Sequence, residues 1–107
     1  MSRNPAGILR LSGGALQIAV MVQPDAFTAI ADANRRLLLE ELRRGEKTVG
    51  ELAADLPVSR PAVSQHLKVL LDAGLVSVRA EGARRIYALD GDGFLQLNIW
   101  IDQFWQG

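Results

Sequence analysis

The chain contains no cysteine, and it has a single histidine among its 107 residues. The absence of cysteine excludes disulfides, thiolate zinc sites, iron–sulfur clusters and cysteine nucleophiles. One histidine leaves little for imidazole metal ligation or for acid–base chemistry. The sequence also lacks a phosphate-binding loop and a convincing nucleophile–base pair. We therefore expect a protein that is not an enzyme and that uses no cofactor.

Long hydrophobic runs are absent too, although 49% of the residues are hydrophobic. In residues 1–24 the longest apolar run is interrupted by Gln17 and is far shorter than the roughly 20 residues of a membrane span. These residues are rich in Gly and Pro and predict a loosely ordered leader, the alternative being a helix that packs on a dimer partner. Met21 is an alternative start, because organised sequence begins just after it. We expect a cytoplasmic protein with one folded domain at 25–107.

Four helices are predicted in residues 25–74, where apolar positions repeat every three to four residues. The first contains Phe27 and Ile30. The second spans Asn34–Arg44, with Asn34 as its N-cap and Gly45 where a helix end favours a left-handed residue.

The third and fourth helices are short and are joined by a tight turn. Thr48 and Glu51 form a capping box that begins the third helix, and Pro57 ends it. Ser59 caps the fourth helix, which runs to about Ala73. Two helices joined in this way are typical of a helix-turn-helix, which presents its second helix to the major groove of DNA.

After Gly74 the apolar period changes from that of a helix to that of a strand. Leu75–Ala80 and Arg84–Leu89 are rich in Val, Ile and Tyr and predict a β-hairpin. A last helix follows over about residues 92–105. The predicted fold is mainly α with a small β-hairpin wing, a winged helix-turn-helix in the order α-α-α-α-β-β-α.

The fourth helix has one apolar arc and one polar arc when its residues are placed at 100° intervals. The polar arc consists mostly of side chains that read bases or hold phosphates, with one proline and one aspartate among them: Arg60, Ser64, Lys68, Pro61, Asp72 and Gln65. An ordinary solvated helix face would have a similar pattern. His66 lies in the apolar arc, and we expect it to be at least half-buried with a backbone carbonyl as its partner.

The hairpin carries three arginines near its tip, Arg79, Arg84 and Arg85. A wing of this kind lays guanidinium groups against phosphates or into a minor groove, whereas the alternative is a solubilising turn. The zero net charge of the chain conceals a segregation, with +3 over residues 59–86 and −3 over 87–107. A helix-turn-helix followed by a basic hairpin predicts a DNA-binding winged helix.

Several blocks of sequence, in order, closely resemble the ArsR/SmtB family of bacterial winged-helix repressors. They are Ala31–Arg36, Gly50–Ala53, Leu56–Leu70, Ala73–Val76 and Arg84–Leu89. The resemblance covers about residues 25–105. It implies a homodimeric transcriptional regulator, usually a repressor, that binds an imperfect palindrome.

The resemblance also implies which side chains meet DNA. Carried over residue by residue, it assigns one set to the recognition helix, namely Ser59, Arg60, Ser64, Gln65 and Lys68. It assigns Arg84 and Arg85 to the wing.

The chain departs from the family's metal sensors. These commonly have a cysteine motif in the helix before the turn, where this chain has Glu51–Leu56. Others place Asp and His pairs on the last helix, where this chain offers Asp102 and no histidine. We therefore expect a metal-independent branch with no metal ligands, the weak alternative being a carboxylate site of Asp90, Asp92 and Asp102. The effector stays open between a small molecule, a partner protein and none.

The last helix is apolar over most of its circumference. A heptad-like seam of Phe94, Leu97, Ile101 and Phe104 is widened by two tryptophans, Trp100 and Trp105. Such a helix favours burial on two sides, so we predict a dimer interface. Packing on its own domain is the alternative. At the level of function, the rival to a DNA-binding repressor is a winged-helix module for protein–protein contact without an operator.

Overall fold

A computed structural model describes residues 25–105 as five helices and three strands. The predictions about residues 1–24, including the leader and the alternative start, lie outside this range. In chain order the elements are α1 (Ala26–Ile30), α2 (Ala33–Arg43), β1 (Lys47–Thr48), α3 (Val49–Asp55), α4 (Arg60–Asp72), β2 (Val76–Glu81), β3 (Arg84–Leu89) and α5 (Gly91–Asp102). The predicted winged helix-turn-helix is confirmed, with one short additional strand.

The caps of the helix-turn-helix are those that the sequence predicts. Thr48 Oγ1 accepts from Glu51 N at 3.2 Å while Glu51 Oε1 accepts from Thr48 N at 2.8 Å, which completes the capping box of α3. Ser59 Oγ accepts from Ala62 N at 3.3 Å at the start of α4. These bonds satisfy backbone N–H groups that have no partner inside either helix.

The predicted N-cap of α2 is wrong by two residues. Asp32 Oδ1 accepts from Asn34 N at 2.8 Å and from Arg35 N at 3.1 Å, so Asp32 caps the helix and Asn34 lies within its first turn. Both residue types are good caps, but a carboxylate can accept from two N–H groups and gains from the positive end of the helix. The hydrogen bond from Arg35 N is the main reason that the pKa of Asp32 lies below its usual value.

The three strands form an antiparallel sheet in the order β1-β3-β2. β2 and β3 pair from Val76↔Leu89 to Glu81↔Arg84, and Gly82, with a φ of +64°, allows the tight turn between them. β1 pairs with β3 over two residues, with Thr48 opposite Ile86. Thr48 thus ends β1 and also caps α3, so it attaches the wing to the helix-turn-helix.

Leucines from the three central helices fill the core. Residues from the other elements complete it, and the buried set is Ala29, Leu38, Leu39, Leu42, Leu52, Val63, Leu67, Leu70, Leu75, Val76, Ile86 and Leu97. Each buried leucine stabilises the fold by about 1.5–3 kcal/mol relative to an exposed one. Because the apolar arc of α4 packs into this core, its polar arc must face outwards.

The last helix begins and ends slightly earlier than predicted. It spans Gly91–Asp102, and Gln103 to Trp105 continue as turns, with Phe104 N donating to Ile101 O at 3.0 Å. Near its start, Gly93 lies directly against the carbonyl group of Gly74.

Candidate DNA-binding surface

The polar arc of α4 forms one exposed face. All the residues predicted for DNA contact on this helix are exposed: Arg60, Pro61, Ser64, Gln65 and Lys68. Val63 and Leu67, on the opposite face, are fully buried. Ser59 is also exposed, but its hydroxyl caps α4, so it lies at the positive end of this 13-residue helix.

Three of the predicted arginines meet in one cavity of about 320 Å³ between the start of α4 and the wing. This basic cavity is lined by Arg60 from α4 and by Arg84 and Arg85 from the wing. Arg60 lies more than twenty positions before the other two in sequence, so the fold brings them together. Three arginines in the lining of one concave site suit an anion the size of a phosphate.

The basic cavity also contains residues that the sequence analysis did not assign to the site. Thr48 and Gly50 form its wall at the start of α3. A Cβ at Gly50 would lie 3.4 Å from Arg60 Nη1, so the bare backbone there lets the guanidinium lie close to the helix. A glycine in the first turn of a short helix, where it weakens the helix, is the signal that could have identified this contact.

The charges around the basic cavity are only partly compensated. Within residues 25–105, none of the three arginines has a carboxylate at ion-pair distance. The pKa of Glu51 is lowered chiefly by hydrogen bonds from Thr48, and the charge of Arg84 lowers it further. The cavity therefore keeps a net positive potential.

Arg79 is placed differently from the other wing arginines. Its Nη1 and Nη2 donate to the two carboxylate oxygens of Glu46, both at 2.7 Å, and Nη2 also lies 3.4 Å from Glu81 Oε2. The pair with Glu46 raises the pKa of Arg79 and lowers that of Glu46. Arg79 therefore connects the wing to the segment before β1.

Lys68 and Asp72 pair along α4. Lys68 Nζ lies 3.1 Å from Asp72 Oδ2, one helical turn away. The lysine side chain is 75% exposed and the aspartate side chain 27% exposed. Lys68 can therefore reach a phosphate only by sharing or leaving this carboxylate.

His66 is half-buried as predicted, but its predicted partner is wrong. Arg35 Nη1 lies 3.4 Å from His66 Nδ1, and the same guanidinium donates to the carbonyl oxygens of Thr28 and Ala29. Because arginine can only donate, Nδ1 accepts here and cannot donate to a backbone carbonyl. Arg35 thus joins α1, α2 and α4.

The residues predicted for the dimer interface divide into two groups. Leu97 is 6% exposed and Phe94 half-buried, and both pack in the core of their own domain. The others, which we call the α5 face, are 41–74% exposed: Trp100, Ile101, Phe104 and Trp105. Trp100 joins this face to α1 through an edge contact with Phe27, with ring centroids 4.9 Å apart.

Neither a metal centre nor a membrane-spanning helix is found in the part of the chain that the structure describes. No three His, Asp or Glu side chains there come close enough to hold an ion. No helix in residues 25–105 is long and apolar enough to cross a bilayer. Asp90, a member of the alternative carboxylate site, caps α5 by accepting from Asp92 N at 3.0 Å.

The exposed polar face of α4, the basic cavity and the wing define the class of winged helix-turn-helix transcriptional regulators. A model of the "bacterial regulatory protein, arsR family" matches residues 32–78. The chain is 57% identical over 83 residues to the HTH-type transcriptional regulator Rv2034 of Mycobacterium tuberculosis. The match covers 77% of this chain and 78% of the relative. The chain belongs to the ArsR family of bacterial regulatory proteins, which confirms the resemblance.

Solved structures have the same architecture. A crystal structure of a "possible transcriptional regulator for arsenical resistance" is 48% identical and has a TM-score of 0.67, covering 74% of this chain and 82% of that one. The homodimeric winged helix-turn-helix DNA-binding domain Mb0332 of Mycobacterium bovis has a TM-score of 0.64 over 97% of this chain and 89% of that one. At 24% identity, this second match bears on the fold alone.

Proposed function

We propose that the protein is a homodimeric, cytoplasmic repressor that binds an imperfect palindromic operator without a bound metal. The basic cavity carries this proposal, because it joins the start of the recognition helix α4 to the wing around one anion-sized site. A phosphate held there would fix the position of α4 in the major groove. Family members are usually repressors, and no residue arrangement in residues 25–105 supports catalysis.

The proposed contacts divide between bases and backbone. Ser64 and Gln65 lie in the middle of the exposed face and read base edges. The remaining residues hold phosphates or position the helix: Ser59, Arg60, Pro61, Lys68, Arg84 and Arg85. Arg79 supports the wing through Glu46 and contributes to DNA binding indirectly.

The α5 face supports the dimer. Its four exposed side chains include two tryptophans and a phenylalanine, residue types that are favoured in interface centres. Residues 25–107 would form the DNA-binding and dimerisation domain, and residues 1–24 a leader or an additional dimer contact.

The experiment is a selection of oligonucleotides from a random pool, followed by affinity measurements on the selected site. Gln65→Ala should lower discrimination against mismatched sites by about 1–3 kcal/mol. Arg85→Ala should weaken all sequences similarly and reduce the salt dependence of binding by about one counterion. Arg43→Ala is the control, because Arg43 pairs with Glu40 on α2, outside the proposed surface.

Two outcomes would contradict the proposal. If the double variant Gln65→Ala, Arg85→Ala bound the selected site as tightly as the original chain, the assignment of the surface would be wrong. If the selection enriched no sequence and association were weak and fully reversed by salt, the protein–protein module would be the better explanation.

A further inference from the structure

A second cavity of the described chain lies away from the DNA-binding surface. Its volume is about 640 Å³, and it is bounded by α1, the end of α4 and one side of α5. We call it the acidic–aromatic cavity after its principal lining residues, Asp25, Asp72, Phe27, Trp100, Gln96 and Gln103. This volume is that of a site for a small organic molecule.

The electrostatics of the acidic–aromatic cavity favour a cation. Its lining includes the carboxylates of Asp25 and Asp72 and contains no Lys, Arg or His among the residues that the structure describes. Asp72 also lies in the last turn of α4, where the helix presents its negative end. The negative charge of Asp72 and the negative end of α4 repel each other. A positive charge bound there would be stabilised by the carboxylate and by the helix end together.

The rest of the lining suits the body of such a ligand. Phe27 and Trp100 form an aromatic wall, and their rings meet edge to face at an interplanar angle of 73°. Aromatic faces attract organic cations and bury apolar groups at the same time. The amides of Gln96 and Gln103 offer neutral hydrogen bonds beside this wall.

One contact connects this cavity to the DNA-binding surface. Asp72 pairs with Lys68 at 3.1 Å, and Lys68 is one of the proposed phosphate contacts. A cation beside Asp72 would compete for its carboxylate, release Lys68 and neutralise a negative charge near the DNA. By linkage, a phosphate that takes Lys68 would in turn favour the cation.

We propose that the acidic–aromatic cavity binds a small organic ammonium ion with an apolar body, and that this ligand strengthens operator binding through Asp72 and Lys68. The coupling rests on the proposed function, whereas binding of the cation does not. Calorimetry on the full chain without DNA tests the site alone, with 2-phenylethylammonium as the probe. Its neutral isostere 2-phenylethanol should bind about tenfold more weakly, because it lacks the charge that Asp72 recognises.

Charge-removing variants test the assignment of the site. Asp72→Asn should weaken binding of 2-phenylethylammonium about tenfold. Asp25→Asn should weaken it too while preserving the cap of α1, since asparagine is an equally good cap. The matched control is Asp92→Asn, because Asp92 is an exposed acidic residue of α5 outside the cavity.

Operator affinity, measured by fluorescence anisotropy, tests the coupling. Saturating 2-phenylethylammonium should tighten operator binding about fivefold. The variant Asp72→Asn should bind the operator about fivefold more tightly without the ligand, and adding the ligand should then change its operator affinity no further. Equal binding of the ammonium ion and the alcohol, or no binding to the assembled protein, would overturn the site. Cation binding with an unchanged affinity for a functional operator would overturn the coupling.

Discussion

The absence of a side chain at Gly93 sets how closely α5 approaches the end of α4. A Cβ at this position would lie 2.7 Å from the carbonyl carbon of Gly74 and closer still to its oxygen. Gly74 itself has a φ of +78°, the left-handed conformation with which the chain leaves the end of α4. The two glycines together fix the start of α5 against the core.

Gly93→Ala should destabilise the fold by about 1–3 kcal/mol, because the added methyl forces α5 away from the α4–β2 connection. Urea unfolding followed by circular dichroism measures this loss. Gly91→Ala is the matched control, since a Cβ at Gly91 meets no atom within 4 Å. If both variants were equally stable, the close contact between Gly93 and Gly74 would not exist in solution.

Individual site residues could be predicted from the sequence only in part. The polar arc of α4 follows from helical spacing, and its exposed residues are where the sequence places them. Spacing does not reveal that Arg79 meets Glu46, which lies 33 positions earlier. Helical spacing also does not reveal whether an apolar side chain is buried by its own domain or by a partner. Leu97, which is predicted for the dimer interface, is buried in its own domain.

At the scale of elements, the wing is held at its base by a polar contact as well as by strand pairing. Arg79 on β2 forms a two-bond ion pair with Glu46, the residue before β1. Both side chains are about half exposed, so the pair positions the wing more than it stabilises the fold.

Acidification should release this contact. The pKa of Glu46 lies below its ordinary value of 4.5, chiefly because the Arg79 side chain donates hydrogen bonds to it. The pair therefore contributes stability above pH 4.5, and the contribution is lost as the pH falls through the lowered pKa. The Arg79 side-chain resonances in NMR spectra should report this transition.

Glu46→Gln should abolish the transition, while Glu81→Gln should retain it, because the longer contact to Glu81 is not needed for the two-bond pair. An Arg79 signal that titrated in Glu46→Gln as in the original chain would contradict the assignment.

Most elements follow from local sequence, and the exception has a physical reason. The helices have caps, periodicity and terminating Gly or Pro residues, and the hairpin has its alternation and its turn. β1 is only two residues long, too short for any alternation to be visible. It is a strand only because Tyr87 and Ile86, about forty positions later, pair with Lys47 and Thr48.

At the scale of the whole molecule, the exposed α5 face is the proposed dimer surface. Phe104 and Trp105 are more than 70% exposed, and Ile101 is 41% exposed beside them. A permanent partner would bury this surface and place two recognition helices at a fixed separation, about one turn of DNA.

Ile101→Glu should therefore shift the protein towards monomer and weaken operator binding by at least about tenfold, because each monomer then holds one half-site alone. Analytical ultracentrifugation measures the first effect and anisotropy the second. Leu37→Glu is the matched control, since Leu37 is 39% exposed but lies on α2. A dimer unaffected by Ile101→Glu would place the interface elsewhere.

The topology of the sheet also determines the order in which the wing opens. Ile86 and Tyr87, in the middle of the hairpin, belong to a three-stranded region, whereas the residues nearer the tip depend on the β2–β3 ladder alone. Hydrogen exchange should consequently be fastest at the tip, around Glu81 and Arg84, and slow progressively towards Val76. The arginines proposed to meet DNA, Arg84 and Arg85, thus lie on the segment whose local unfolding requires the least free energy, which would let the tip adapt to the groove while the rest of the sheet holds α3 and α4 in place.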